Sequence, residues 1–165
     1  FNPITQNTTR AICMIVYRIT NSHYKDDISG TGAKLKGARW NMPGNSLLYT
    51  AEHISLSTLE LLVHVGFDDI QKFYHLLSIF IPDDAAMREI NAEKLKANWY
   101  EDEDYTAFMG TEFINNNLNL VLKVPSAIIP EEHNFLINPQ HKDFKKIKIR
   151  KSKPFIFDER LYIFK

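Results

Sequence analysis

The sequence predicts an α+β domain with a mixed, mostly antiparallel β core and flanking helices. Short apolar or β-branched segments at 14–19, 47–50, 75–81, 119–124 and 146–150 outnumber the stretches with helical periodicity. They do not alternate with helices as βαβ units require. No repeat, low-complexity tract or linker divides the 165 residues, a length that buries enough apolar surface for one core. The domain is expected over 14–165. The polar, turn-like residues 1–13 read as an N-terminal extension, native or added, before a natural start at Met14.

Taken in order, 14–19 is β-branched enough to open the fold as a strand, with Tyr17-Arg18 near its end. Residues 29–45 hold four of the six glycines and the turn pair Pro43-Gly44, so a loop with close backbone approaches is predicted. A short strand at 47–50 follows. The spacing of Leu56, Leu59 and Val63 predicts a helix over 52–65, with Gly66 as its stop. Pro82 closes a strand at 75–81 and Pro125 closes one at 119–124. Between them, 92–117 reads as helical or irregular, with a solvated acidic run at 101–104. After Pro130 comes a turn-rich segment, and the alternation at 146–150 then describes a strand with one wet face. Residues 155–157 and 161–164 supply a closing strand or hairpin.

Twenty basic residues balance twenty acidic ones, so no global field favours nucleic acid or an anionic membrane. The apolar run 11–17 is far shorter than the ~20 residues of a spanning helix. Without a basic leader or cleavage site, a cytoplasmic protein is the default expectation. Cys13 is the single cysteine, which excludes a disulfide within the chain. Seven lysines and arginines fall within 142–153, but their alternation with Ile147 and Ile149 reads as a solvated strand face rather than a nucleic-acid patch.

Several residues are candidates for chemistry. On a helix, Glu60 sits at the margin of the apolar stripe, where a carboxylate is partly desolvated and needs donors or a cation. Its competing reading is a capping box, Ser57-x-x-Glu60. Arg39 follows the glycine-rich loop and offers a fork suited to phosphate or carboxylate oxygens, or else stacks on Trp40. Arg18 carries the same ambiguity, and two arginines converging on one pocket would suit a diphosphate. Tyr49 offers a ring for a flat heteroaromatic, or is a core tyrosine with a satisfied hydroxyl. Ser126, after Pro125, is a strand-end hydroxyl or an ordinary turn serine. No Gly-x-Ser-x-Gly elbow, no recognisable zinc set and no complete dinucleotide or P-loop glycine pattern is present. No metal is expected.

Several motifs in order resemble the RES domain family, toxins of bacterial toxin–antitoxin pairs. They are Tyr17-Arg18, Gly37-Ala38-Arg39-Trp40-Asn41-x-x-Gly44, Leu48-Tyr49-Thr50-Ala51-Glu52 and Leu59-Glu60-x-x-Val63-His64. Gly110-x-x-Phe113 comes next, then Val124-Pro125-Ser126-x-Ile128-x-Pro130-x-x-x-Asn134-x-Leu136-x-Asn138-Pro139-x-His141, and last Phe157-Asp158-x-Arg160-Leu161. Ala38 stands where the family has a second glycine, and Lys36 where it often has a tyrosine.

The resemblance implies a fold similar to ADP-ribosyltransferases and an NAD+ substrate cleaved at the nicotinamide–ribose bond. It implies Glu60 as the carboxylate that stabilises an oxocarbenium-like state, Arg39 and Arg18 on the diphosphate or ribose, and Tyr49 against nicotinamide. Ser126 would anchor ring or ribose by a hydrogen bond, and Asn134 joins the NAD+-binding set. The implied partner is a small Xre-like DNA-binding antitoxin that blocks the cleft, and a homodimer within that complex stays open. Transfer of ADP-ribose to a protein, or a silent module in which Arg39 and Glu60 form a buried pair, are the competing readings.

Overall fold

A computed structural model describes residues 14–65 and 73–161. Its strands are β1 (Met14–Asn21), β2 (Leu48–Ala51), β3 (Tyr74–Ile81), β4 (Met87–Glu89), β5 (Val121–Pro125), β6 (His133–Ile137) and β7 (Lys148–Phe155). The helices are α1 (Thr31–Lys36), α2 (Ile54–Leu62) and α3 (Glu103–Asn116). One seven-stranded sheet runs β4-β5-β6-β2-β1-β3-β7, parallel between β4 and β5 and antiparallel elsewhere. The expected mixed, mostly antiparallel core is therefore present as a single domain.

The sheet is nearly two sheets. β1 pairs β3 at eight positions, from Met14↔Ile81 to Asn21↔Tyr74, and β2 pairs β6 at four, from Leu48↔Ile137 to Ala51↔Asn134. β1 and β2 meet at one position alone, Tyr17↔Ala51. Either side of that rung the two halves part, and a cleft opens at the seam.

Apolar residues pack both halves. Val16, Leu77, Ile79 and Ile81 of β1 and β3 share a core with Leu48, Val121 and Ile137. A second cluster joins Leu122, Val124 and Leu136 to Phe113 and Ile114 of α3 and to Trp40 and Trp99, whose ring centroids lie 6.0 Å apart. α3 crosses the chain at Trp40 so closely that a Cβ on Gly110 would lie 1.8 Å from the Trp40 carbonyl oxygen. Only glycine permits that contact, and it fixes residue 40 and its neighbour Arg39 against α3.

Several expectations need correction. The predicted loop at 29–45 contains α1, which ends at Gly37 with φ of 72°, a left-handed value that glycine adopts without strain. The helix predicted over 52–65 begins at Ile54 behind an N-cap, His53, that makes no side-chain cap bond. Ser57-x-x-Glu60 is therefore no capping box. Ser57 is buried one turn inside, and its Oγ accepts from the Ile19 N–H at 3.1 Å, a donor with no β2 rung to meet. Gly66, the expected stop, lies outside the described residues.

The acidic run at 101–104 is structural as well as solvated. Asp102 caps α3 by accepting from the Tyr105 N–H at 2.9 Å, and it pairs with Lys96. β4 and β6 went unpredicted. After β7 the chain leaves the sheet: Phe157 packs edge-on to Tyr74 and Phe155, with centroids 5.3 and 5.1 Å away, and Glu159–Leu161 is a single 3₁₀ turn. No closing hairpin forms among the described residues, and 162–165 lie outside them. β7 is the basic outer edge, with Lys148, Lys151 and Lys153 exposed and the Arg150 guanidinium 4.4 Å from the centroid of the Phe80 ring. Charged edges of this kind discourage strand addition. No helix among the described residues is long and apolar enough to cross a membrane.

Candidate active site

The seam between β1 and β2 holds a cleft of about 350 Å³. Arg18 on β1, Arg39 after α1, Tyr49 on β2, Glu60 on α2 and Asn134 on β6 all line it. Four elements and the loop after α1 thus converge on one cavity.

Glu60 is the best-held group. Its Oε1 accepts from Ser126 Oγ at 3.0 Å and from Asn134 Nδ2 at 2.5 Å. No donor among the described residues reaches Oε2. One oxygen orients the carboxylate, and the other keeps its full accepting capacity.

Ser126 does not reach the cavity. It has no exposed surface, and its Oγ also accepts from the Ile128 and Ile129 N–H groups at 3.0 and 3.2 Å. The expected direct contact of this hydroxyl with a ring or ribose is corrected, because its hydrogen-bonding capacity is used by the turn and by Glu60. Serine lies behind the carboxylate and fixes its direction.

Arg18 is a cation with unused donors. Its Nη1 donates to the Tyr49 carbonyl oxygen at 3.1 Å, bridging the seam, while Nε is buried without a partner among the described residues. Burial draws its pKa below the ordinary arginine value, and Asp27 opposes that change. A guanidinium stays charged through such a shift. The site therefore presents a partly desolvated positive charge that an anion would satisfy.

Arg39 is anchored outward. Nη1 donates to the Tyr100 carbonyl oxygen at 2.9 Å, and Nη2 lies 3.2 Å from Glu103 Oε1 at the start of α3. Trp40 packs on Trp99 instead, so the stacked reading of Arg39 fails. The buried Arg39–Glu60 pair of the silent-module reading is also absent, since each side chain has other partners.

Tyr49 donates to Asn41 Oδ1 at 2.7 Å and accepts from the Trp40 N–H at 3.0 Å. Burial raises its pKa, outweighing the Trp40 N–H that works the other way. Its hydroxyl is committed, and the ring is what it offers to the cleft.

The sequence reading gave no site role to Lys36, Ser57 or His64, which also line the cavity. His64 had a legible signal, standing four residues after Glu60 on the helix. Its Nδ1 lies 2.7 Å from the Glu60 carbonyl oxygen, which can only accept, so the proton sits on Nδ1. A second hollow of about 450 Å³ lies before α3, but Glu101, Asp102, Glu103 and Asp104 line it and disfavour an anion.

A parted mixed sheet whose seam holds the Arg18 guanidinium, an aromatic ring and a donor-bound carboxylate, with Arg39 also lining the cavity, defines an α+β domain built around a charged cleft. Sequence and structural comparisons name the class. The profile of the RES domain matches residues 15–158, and the chain belongs to the RES domain family. A protein of Photorhabdus laumondii named Toxin Res is 41% identical over 152 residues, covering 90% of this chain and 97% of that one. The Prs ADP-ribosylating toxin of a Sphingobium species is 35% identical over 140 residues, 82% of this chain and 87% of that one. Among solved structures, the M. tuberculosis MbcT-MbcA toxin–antitoxin complex contains a chain that superposes with a TM-score of 0.74 at 20% identity, over 92% of this chain and 88% of that one. At that identity the likeness concerns the fold alone.

Proposed function

We propose that this chain is an NAD+-degrading toxin of a toxin–antitoxin pair, acting in the cytoplasm. The observation that carries the reading is Glu60, held through one oxygen by Ser126 and Asn134 in a cleft that also contains Arg18 and Arg39. The arginines match the diphosphate, and the Tyr49 ring matches the flat nicotinamide.

In this reaction the bond between the ribose anomeric carbon and the nicotinamide nitrogen breaks, and its electron pair neutralises the pyridinium. The leaving group departs neutral, so no strong general acid is needed. Positive charge grows on the ribose as an oxocarbenium-like state, and the Glu60 carboxylate stabilises it electrostatically and by bonding a ribose hydroxyl. An acceptor oxygen then attacks the anomeric carbon and gives up its proton to solvent. Water yields ADP-ribose, and inorganic phosphate yields its phosphorylated form. Ser126 and Asn134 act by keeping Glu60 oriented.

A second reading is transfer of ADP-ribose to a particular protein, favoured by the 35% identity to a relative named as ADP-ribosylating. Chromatography of NAD+ and its products, with and without phosphate, separates hydrolysis from phosphorolysis. Labelled NAD+ in a lysate gives a discrete protein band only under transfer. Intact NAD+ in both experiments would reject the enzymatic reading. A solved fold neighbour in a toxin–antitoxin complex supports an antitoxin as partner, and the family resemblance implies that it is of the Xre-like DNA-binding type and covers the cleft.

A further inference from the structure

Outside the cleft, four titratable side chains meet where β2 runs into α2 and where β6 begins. Donor atoms of Glu52, His53 and Glu132 all lie within 4.8 Å of one another. His53 Nε2 is 3.7 Å from Glu52 Oε1, and His133 Nδ1 is 3.4 Å from Glu52 Oε2. In a tetrahedral zinc site with bonds of about 2.0–2.1 Å, neighbouring donor atoms sit about 3.4 Å apart. The Glu52–His53 spacing is near that value and Glu132 lies within 4.8 Å of both, so side-chain rotation alone closes the remaining difference.

The backbone under these groups is fixed. The Glu52 N–H donates to the His133 carbonyl oxygen at 3.1 Å, and the His133 N–H donates to Glu52 Oε1 at 3.0 Å. The Glu132 carbonyl oxygen accepts from the Ser126 N–H at 2.9 Å. Only His53, with a side chain 58% exposed, has wide freedom to swing. A plain ion-pair network accounts for one carboxylate between two imidazoles. It gives no reason for the second carboxylate, whose repulsion with Glu52 a cation would relieve.

We propose that Glu52, His53 and Glu132, with His133 as a fourth donor, bind a divalent transition ion of the zinc class. Imidazole donors favour such an ion over calcium or magnesium, which prefer oxygen alone. The bound ion ties the start of α2, which carries Glu60, to the start of β6, which carries Asn134. It clamps the two elements that orient the cleft carboxylate. None of Glu52, His53 or Glu132 lines the cleft, so the proposal stands apart from the NAD+ reading.

The test uses the full chain stripped with a chelator and titrated with zinc chloride by calorimetry, with melting temperature followed in parallel. One equivalent binds and the melting temperature rises. His53→Ala and Glu132→Gln each weaken binding at least tenfold and together abolish it, while His23→Ala, at an exposed remote histidine, leaves it unchanged. Cobalt(II) gives a visible absorption band that His53→Ala removes. Absence of binding at tenfold excess zinc, or equal affinity in the double variant, overturns the proposal. Melting temperatures of the zinc-free variants verify that they fold.

Discussion

Glu60 takes both of its donors on one oxygen, which separates holding the carboxylate from using it. In Glu60→Gln the amide oxygen still accepts from Ser126 and Asn134, so the fold persists while the negative charge is lost. NAD+ turnover is expected to fall about 10²–10³-fold in kcat, with an unchanged melting temperature. Ser126→Ala differs, since it strips the Ile128 and Ile129 N–H groups of their acceptor as well. Buried donors left unpaired cost about 1–3 kcal/mol, read as a lower denaturant midpoint at constant m. Ser126 is buried behind the carboxylate, so kcat is expected to fall more than KM changes. Tyr49 gives a pH prediction. Burial holds its folded pKa above the ordinary 10.0, so the native state keeps a proton that the unfolded chain releases. The associated stability is whole below about pH 10 and drains as pH rises toward the folded value. Melting temperature should therefore fall more steeply above pH 10 in the wild type than in Tyr49→Phe, compared by slope.

At the scale of elements, Gly110 is where α3 and the residue-40 turn are pressed together. A methyl group in Gly110→Ala would meet a backbone oxygen that cannot yield without shifting Arg39. Overpacking of this kind should cost about 1–3 kcal/mol or more by chemical denaturation and weaken NAD+ binding through the displaced arginine. The same scale explains what could be read in advance. Strands with apolar runs closed by proline, such as β3 and β5, were legible because their periodicity and punctuation agree. β6 was hidden because it opens with His133-Asn134, has Pro130 before it and Asn138-Pro139 after it, and takes its strand character from neighbours on both sides. β4 spans three residues and exists through its pairing with β5, too short for any period to show. Arg18, Tyr49 and Glu60 were legible as residue types from the pattern and as neighbours only through the family resemblance, because their meeting depends on the parted seam. The capping-box alternative for Ser57 fails for a reason no sequence pattern carries, since the missing rung that recruits its hydroxyl is a tertiary fact.

For the molecule as a whole, a ligand that fills the cleft adds contacts across β1 and β2 that the native state otherwise lacks. NAD+ at about 100 times its Kd should stabilise the Glu60→Gln protein by about 2.7 kcal/mol, visible as a higher melting temperature without turnover. A flat response would mean that the nucleotide does not occupy the cleft. Hydrogen exchange offers a local readout, with protection expected along β1 and β2 on binding and little change at the β7 edge. The lone Tyr17↔Ala51 rung has a broader implication for how such a site survives divergence. Its walls are main chain, cut by where a ladder stops, so their spacing is indifferent to most side-chain replacements. A groove made by the scaffold itself depends on the fold, and the fold is kept while four residues in five are exchanged in the 20% identical neighbour.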